Sequence, residues 1–311
     1  MPDNDTRLAL IGAGRWGRVY IKTIEEVSGV LLKCVASSNP EIKNHAPTGC
    51  EVVSDWRQIL SQGGIDGVII ATPPDTHFEI AEKFIEVGLP VLIEKPLTMD
   101  VGEAENLLAL AERRDAIVMV DHTHLYHPAY RKLKEHGAQL GPARTIKSLA
   151  GNSGPVRAYT PLLWDWGAHD IAMCLDLIGE QPIVATAEIK TVKRTGEEDG
   201  ESAAISLTFP SGAVADIEIS NAFENRTRIF EVGYQNQSLI YDGVGPSALT
   251  FVRDADDVGT RIEVGSELPL NIVVREFAGR VRSRSRQLDD LTLGVNIVRV
   301  LESLLKSSEV N

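Results

Sequence analysis

A glycine-rich turn near the start of the chain is the first segment whose residue types suggest chemistry. Gly12, Gly14 and Gly17 follow the apolar run 8–11 and open the amphipathic segment 15–27, a pattern that predicts a strand, a tight turn and a helix. The three glycines would allow the turn, the approach of the backbone to a pyrophosphate, and close packing of helix on strand. Amide groups of the first helical turn would hold the phosphates. We therefore predict a dinucleotide site; the alternative is a glycine turn without a ligand.

A lysine stands where a later buried strand is predicted to end. Lys95 lies in the tripeptide Glu94-Lys95-Pro96, directly after the strand predicted over 90–93. Ligands of parallel sheets bind beyond the carboxyl ends of the strands, and a lysine buried there without a partner would be unfavourable. The amine is therefore a candidate for contact with a bound molecule. The alternative is a solvent-facing lysine that pairs with Glu94.

An aspartate and a histidine are four residues apart in a helix predicted over 161–178, with Thr160 as its N-cap. Asp165 and His169 would project from the same helical face, so the carboxylate could orient the imidazole. Histidine titrates near neutral pH and suits proton transfer. Taken alone, the pair is more typical of a partly buried histidine with a carboxylate neighbour.

Strands and helices alternate through the first 121 residues and must position the glycine turn and Lys95. This alternation predicts a mostly parallel, doubly wound sheet. From residue 183 onward strands follow one another, separated by turns such as 209–213, which predicts an open, mainly antiparallel sheet. The predicted fold is an α/β Rossmann domain over residues 1–121, followed by an α+β domain over residues 122–311 for substrate binding and oligomerisation.

Amino-acid composition and net charge argue against several classes of protein. The 311 residues are 43% hydrophobic and 24% charged, with a formal net charge of -13, which argues against a nucleic-acid or anionic-membrane surface. No apolar run approaches the roughly 20 residues of a membrane helix, and the N-terminal residues lack the features of a signal peptide. Three scattered cysteines do not make a disulfide framework or a zinc ribbon. We expect a soluble, cytoplasmic protein that binds neither nucleic acid nor membrane.

The end of the second predicted strand bears on the choice between NAD and NADP. An acidic residue there binds the ribose 2′-hydroxyl in NAD-specific folds, but the segment 37–39 reads Ser-Ser-Asn. Its hydroxyls could bind a 2′-phosphate, with positive charge from Arg15 and Lys43. These residues favour NADP. The alternative is that Glu41 or a backbone contact binds the ribose of NAD instead.

Three histidines follow the last predicted strand of the first domain. His122, His124 and His127 lie within six residues and suggest a metal site, which would need further ligands at matching geometry. The alternative is that His122 and His124 share one face of an extended segment and line a substrate pocket. We favour that alternative and predict no metal.

Two motifs together resemble one known family. The first motif is the run 71–97, which begins Ala-Thr-Pro-Pro-Asp-Thr-His and ends Glu-Lys-Pro-Leu. This run and its spacing from the glycine turn resemble the glucose–fructose oxidoreductase, inositol dehydrogenase and rhizopine catabolism (Gfo/Idh/MocA) family of NAD(P)-dependent oxidoreductases. The segment 164–170, Trp-Asp-Trp-Gly-Ala-His-Asp, resembles the second signature of that family. The sequence departs from it at 37–38, where many members carry an acidic residue.

The resemblance implies that Lys95, Asp165 and His169 are catalytic and serve one nicotinamide. The implied reaction is hydride transfer to or from a secondary alcohol or ketone of a sugar, a sugar derivative (nucleotide-linked sugars included) or a cyclitol. It also implies a homodimer or homotetramer formed through the second sheet. Two other hypotheses stay open: a regulator that senses the cofactor or a sugar without turnover, and a reductase of a non-sugar substrate.

The remaining predictions concern binding residues. The residues predicted to contact the cofactor are Gly12, Gly14, Arg15, Trp16, Gly17, Ser37, Ser38, Thr72, Pro73, His77, Glu94 and Lys95. Those predicted to contact the substrate are His122, Thr123, His124, Tyr126, Arg157 and Trp164.

Overall fold

The computed structural model describes residues 5–154, 160–194, 198–245, 248–254 and 256–308. The chain divides into two compact units. The first unit contains the residues up to Thr123 together with Leu268–Val298, and the second contains His124–Glu267 together with the residues from Arg299 onward. The predicted boundary after residue 121 lies close to the first crossing. The return of the chain to the first unit is a difference from the prediction.

The first unit is built on a six-stranded parallel sheet in the order β3-β2-β1-β4-β5-β6. Its strands are β1 (Thr6–Ile11), β2 (Val30–Ala36), β3 (Glu51–Val53), β4 (Gly67–Ile70), β5 (Val91–Glu94) and β6 (Val118–Asp121). Its first three helices are α1 (Arg15–Glu26), α2 (His77–Glu86) and α3 (Val101–Arg114). The central strands are continuous apolar runs because helices cover both faces of such a sheet. The predicted Rossmann architecture is confirmed.

The second unit contains an eight-stranded mixed sheet in the order β14-β13-β12-β11-β7-β10-β9-β8. Its strands are β7 (Thr145–Ser153), β8 (Val184–Val192), β9 (Gly200–Thr208), β10 (Val214–Ser220), β11 (Ala222–Gly233), β12 (Ser238–Asp242), β13 (Leu249–Val252) and β14 (Thr260–Arg261). The β7–β10 pair is parallel, and the other pairs are antiparallel. The predicted open, mainly antiparallel sheet is confirmed.

The described residues contain four further α-helices. They are α4 (Pro128–Gly137), α5 (Ala168–Ile178), α6 (Pro269–Ser283) and α7 (Asp289–Ser308). A π-helical turn, Leu163–Gly167, directly precedes α5. Among the residues that the structure describes, no helix is long and apolar enough to cross a membrane.

Helix α6 belongs to the first unit because its apolar face packs there. Val273, Val274 and Phe277 are fully buried, and the Phe277 ring lies so close to Gly67 on β4 that a Cβ built there would be 3.2 Å from Phe277 Cζ. Arg282 donates from Nη1 to the Thr6 hydroxyl at 2.8 Å. Sequence periodicity predicts a helix in this part of the chain, but it does not predict which sheet the helix packs against.

Candidate active site

The glycine turn joins β1 to α1, and each glycine meets a different steric demand. Gly12 adopts a φ of +91°, and a Cβ built on it would lie 2.5 Å from the Ala71 carbonyl oxygen. A Cβ on Gly17 would lie 2.1 Å from the Gly12 carbonyl oxygen. Glycine is therefore required at both positions by the protein itself. A Cβ on Gly14 would meet no protein atom within 4 Å.

The packing of this chain therefore does not require glycine at position 14. Gly14 is the N-cap of α1 and makes no side-chain hydrogen bond there. The first turn of α1 also carries no acidic residue of its own that would neutralise the positive end of the helix dipole. An open backbone surface at a helix N-terminus fits the phosphates of a dinucleotide. The residues present therefore fit the predicted cofactor. When it is bound, Gly14 would lie against its pyrophosphate.

A cluster of polar side chains links this turn to the ends of β5 and β6. The Trp16 indole donates a hydrogen bond to Glu94 Oε1. The Tyr20 hydroxyl donates to Asp121 Oδ2 at 2.5 Å, and the Thr123 hydroxyl donates to Asp121 Oδ1 at 2.7 Å. The turn, helix α1 and the two strand ends are held together by these bonds. Thr123, predicted to contact substrate, is engaged with this buried carboxyl group.

Glu94 and Asp121 are both buried, and burial raises the pKa of each carboxyl group above its ordinary value. The negative charge of Asp121 raises the pKa of Glu94 further. The positive charge of Lys95 opposes both shifts but does not outweigh them. Burial therefore favours the protonated form of each carboxyl group.

Lys95 is half-buried at the carboxyl end of β5, where its backbone amide donates to Glu94 Oε2 at 3.2 Å. The Lys95–Pro96 peptide is cis. His77 lies beneath this segment: its Nδ1 is 2.9 Å from the Pro96 carbonyl oxygen and its Nε2 is 3.0 Å from that of Thr72. Since both ring nitrogens are used and the residue is fully buried, His77 positions the two loops. This differs from the predicted direct contact with the cofactor.

The end of β2 presents small hydroxyl side chains, as the sequence indicates. Ser38 is exposed and Ser37 is half-buried. The Ser37 hydroxyl accepts a hydrogen bond from the amide of Asn39 at 3.2 Å, while Asn39 caps the following short helix, Pro40–Asn44. Arg15 at the start of α1 is also exposed. The geometry leaves the Ser38 hydroxyl accessible at this strand end.

In the second unit, Asp165 and His169 flank a change of helix geometry. Asp165 lies inside the π-helical turn, and His169 lies in the first turn of α5. A π-helical turn is wider than an α-helical turn. The predicted helix over 161–178 therefore contains this wider turn, with Asp165 inside it and His169 just after it. Such turns are frequent at functional sites.

Two of the clustered histidines, His124 and His127, belong to the second unit and make contacts within it. The rings of His124 and His169 meet edge to face, with centroids 4.7 Å apart. His127 is the N-cap of α4, where its Nδ1 accepts a hydrogen bond from the amide of Ala129 at 3.1 Å. Among the described residues, no group of three or more His, Cys, Asp or Glu side chains has the arrangement of a metal site.

A buried ion pair anchors α5 directly beside His169. Asp170 is fully buried, and its Oδ1 accepts hydrogen bonds from the Ser148 hydroxyl at 2.6 Å and from Arg228 Nη1 at 2.9 Å. The Arg228 guanidinium also lies over the Trp166 ring, 5.9 Å from its centroid. These contacts fix α5 against β7 and β11. The sequence gives no sign of the arginine, because it is 58 residues away along the chain.

Two of the residues predicted to contact the substrate have buried aromatic side chains. Trp164 is 2% exposed and is among the largest fully buried side chains of the chain, so it belongs to the core of the second unit. Tyr126 is 4% exposed, and the Arg131 guanidinium covers its ring at 4.8 Å from the centroid. In both cases an aromatic ring serves the apolar packing of its unit. Arg157 lies outside the described residues.

Comparison with protein families gives two matches along the chain. Residues 6–122 match the model described as "Oxidoreductase family, NAD-binding Rossmann fold". Residues 142–239 match the model described as "GFO/IDH/MocA C-terminal domain". The two matches follow one another in the order of the two predicted domains.

Relatives with assigned activities are similar over most of the chain. An inositol 2-dehydrogenase of Rhizobium meliloti is 31% identical over 227 residues, which are 69% of this chain and 68% of the relative. A UDP-N-acetylglucosamine 3-dehydrogenase of Acidithiobacillus ferrooxidans is 25% identical over 256 residues, 81% of this chain and 79% of the relative. A crystal structure from Magnetospirillum magnetotacticum MS-1, described as an oxidoreductase, has a TM-score of 0.89 at 40% identity and covers 96% of this chain and 99% of its own.

Proposed function

The chain belongs to the GFO/IDH/MocA family of oxidoreductases, and on that premise we propose that it transfers a hydride between nicotinamide and a CH–OH carbon of a sugar, sugar derivative or cyclitol. The observation that carries the proposal is the position of Lys95. The strand end that precedes Lys95 is linked to the glycine turn by the hydrogen bond from Trp16 to Glu94. This bond holds the segment of Lys95 together with the turn proposed to bind the phosphates. The relatives named for inositol and for a UDP-linked amino sugar support the substrate class.

The proposed roles follow from the chemistry of each side chain. The bound nicotinamide would supply the carbon that takes or gives the hydride. His169 would accept the hydroxyl proton, a task suited to an imidazole near neutral pH. Lys95 would donate a hydrogen bond to the reacting oxygen and stabilise its developing negative charge. Asp165 would orient His169 or bind the substrate directly.

The cofactor preference is a separate proposal. We propose NADP as the preferred cofactor, because the end of β2 offers the accessible Ser38 hydroxyl and no carboxylate over 37–39. Exposed Arg15 and Lys43 supply positive charge in nearby segments. Both features suit a 2′-phosphate better than a free 2′-hydroxyl.

Oligomerisation through the second unit is also proposed. The edge strand β8 exposes apolar side chains, with Val184 at 51% and Ile189 at 40% exposure, and an exposed apolar edge strand is a template for pairing with another chain. A second copy of this chain would cover it. Sedimentation of the wild type and of Ile189→Lys tests this, since the variant should dissociate while keeping its fold.

Replacement of the proposed amine tests the enzymatic proposal. Lys95→Met should lower kcat by about 100- to 1000-fold, because the reacting oxygen loses its charged donor, while the Kd for NADP stays near that of the wild type. The matched control is Lys83→Met, which removes a lysine held by surface glutamates on α2 and should leave kcat unchanged. Equal rates for wild type and Lys95→Met across sugars and inositols would remove Lys95 from the mechanism.

The same assay separates the other two hypotheses. A regulator would bind NADP but produce no NADPH with any sugar, inositol or UDP-linked sugar. A reductase of a non-sugar substrate would oxidise NADPH only with compounds outside that panel.

A further inference from the structure

Two buried histidines of the first unit differ in how their ring nitrogens are satisfied. His77 is 0% exposed and His122 is 2% exposed. Both nitrogens of His77 pair with backbone carbonyl oxygens, whereas neither nitrogen of His122 has a hydrogen-bond partner among the residues that the structure describes. Buried polar atoms are rarely left unpaired in native proteins, so each such case needs an explanation.

The position of His122 in the sheet suggests what the explanation is. Glu94 and Asp121 are the last register partners of β5 and β6, and Lys95 and His122 are the residues that follow them. Lys95 and His122 therefore follow paired residues at the carboxyl edge of a parallel sheet, and the charge of Lys95 acts on the imidazole of His122. This edge is where ligands of such folds bind.

The charge state of His122 limits the ligand chemistry. Burial, assisted by the positive charge of Lys95, lowers the pKa of His122 to about 3, so its ring is neutral at physiological pH. A neutral imidazole has one donor and one acceptor nitrogen. A hydroxyl group both donates and accepts, so it can pair with either nitrogen. A carboxylate or a phosphate only accepts and is better matched to a cation.

We propose that His122 binds a substrate hydroxyl next to the oxygen that Lys95 contacts, and so selects an uncharged polyol over an analogue that lacks this hydroxyl or carries a carboxylate in its place. The inference rests on the proposed function and deepens it. His122 takes no part in hydride or proton transfer. It determines specificity, and its two unpaired nitrogens make the ligand-free protein less stable than it would be with an apolar side chain there.

The first test measures stability without any ligand. Urea unfolding is followed for the wild type, His122→Leu and the matched control His77→Leu. Removing the paired imidazole of His77 should lower the unfolding midpoint, because the two carbonyl groups lose their partner. His122→Leu should leave the midpoint unchanged or raise it. A fall as large as that of His77→Leu would show a structural role for His122 and overturn the proposal.

The second test measures recognition. A panel of inositols, hexoses and UDP-linked hexosamines identifies the polyol used, and kcat/KM is then compared with that of its monodeoxy analogues. The wild type should favour the complete polyol over one analogue by about tenfold, as expected for one lost hydrogen bond that leaves a buried partner unpaired. His122→Leu should reduce this ratio to near one. His122→Gln, which keeps one donor and one acceptor, should restore part of it. An unchanged ratio in His122→Leu would overturn the proposal.

Failure of the proposed function looks different. In that case the wild type itself turns over no polyol with either cofactor. A binding measurement then tests the role of His122. With NADP present, the shift of the unfolding midpoint that each polyol causes is compared between the wild type and His122→Leu. A shift confined to the wild type supports the hydroxyl contact. Equal shifts, or none, reject it.

Discussion

Glu94 and Asp121 are register partners on neighbouring parallel strands, and their carboxyl groups meet in the interior of the first unit. Tyr20 and Trp16 on α1 donate hydrogen bonds to this pair, one to each residue. Two adjacent buried carboxyl groups cannot both ionise without a large electrostatic penalty. The pair therefore ties helix α1 to β5, the strand that precedes Lys95, on condition that at least one of the two groups stays protonated.

This condition makes the stability of the first unit depend on pH. The folded-state pKa values of both carboxyl groups are raised above their ordinary values of 4.5 and 3.8, chiefly by burial. The stabilising contribution of the pair is therefore complete below about pH 4 and is lost as pH rises through the folded-state pKa values. Asp121→Asn removes one charge, so its unfolding midpoint should fall less steeply with rising pH than that of the wild type.

A surface carboxylate provides a control with the opposite sign. The hydrogen bond from Arg7 lowers the pKa of Asp66, so its contribution is present above its ordinary pKa and is lost as pH falls. Asp66→Asn should lose stability at neutral pH and approach the wild type in acid. Urea unfolding at a series of pH values between 2 and 9 measures all three proteins. Parallel pH curves for wild type and Asp121→Asn would contradict the raised pKa of Asp121 in the folded protein.

The glycine turn yields a prediction that separates folding from cofactor binding. Gly17→Ala should destabilise the chain by about 1–3 kcal/mol, because the new methyl group would meet the Gly12 carbonyl oxygen. Gly14→Ala should change stability little, since a Cβ there meets no protein atom within 4 Å. The same methyl group should weaken NADP binding at least about tenfold, a loss of about 1.4 kcal/mol, by blocking the pyrophosphate.

Urea unfolding and a fluorescence titration with NADPH measure the two effects. Tight NADPH binding by Gly14→Ala would show that the phosphates lie elsewhere. Loss of folding in that variant would show that the position has a packing role after all.

Sequence patterns within a short window predict the structural features that depend on residues close together in the chain. Apolar runs of four to six residues that alternate with amphipathic segments predict the parallel sheet, and the glycine spacing predicts the turn before α1. The end of α5 at Gly179, in the left-handed region at a φ of +74°, is likewise signalled by residue type. Each of these features depends on neighbours within a few residues.

Contacts between distant segments are what the sequence does not disclose. Asp170 is buried against Ser148 and Arg228, which come from strands 22 and 58 residues away. The partner of Tyr20 is 101 residues along the chain. Periodicity predicts strands but not which strands pair in a mixed sheet, so it cannot place these partners. For the same reason it cannot tell that Trp164 lies in the core.

The buried ion pair next to His169 should be essential for both fold and activity. Arg228→Met leaves Asp170 buried without its cation, which should destabilise the protein by about 3–5 kcal/mol. Because α5 carries His169 in the next position, kcat should fall while the Kd for NADP stays near the wild-type value. The double variant Asp170→Asn with Arg228→Met should recover part of the lost stability, since no unpaired charge remains.

Unfolding and kinetic measurements on both variants test this coupling. A surface pair serves as control: Glu79→Gln removes the exposed partner of Arg57 and should have little effect. A small effect of Arg228→Met on the unfolding free energy would show that Ser148 alone satisfies the aspartate.

The proposed preference for NADP should be reversible by a single substitution at the end of β2. Ser38 is exposed, whereas the hydroxyl of the preceding Ser37 accepts a hydrogen bond from the amide of Asn39. In Ser38→Asp the new carboxylate would repel a 2′-phosphate and accept hydrogen bonds from a free ribose hydroxyl. The ratio of the Kd for NAD to that for NADP should fall by at least about tenfold, or about 1.4 kcal/mol. Ser211→Asp, which adds the same charge in the second unit, should leave the ratio unchanged. A wild-type preference for NAD, or an unchanged ratio in Ser38→Asp, would contradict the assignment of the phosphate to this strand end.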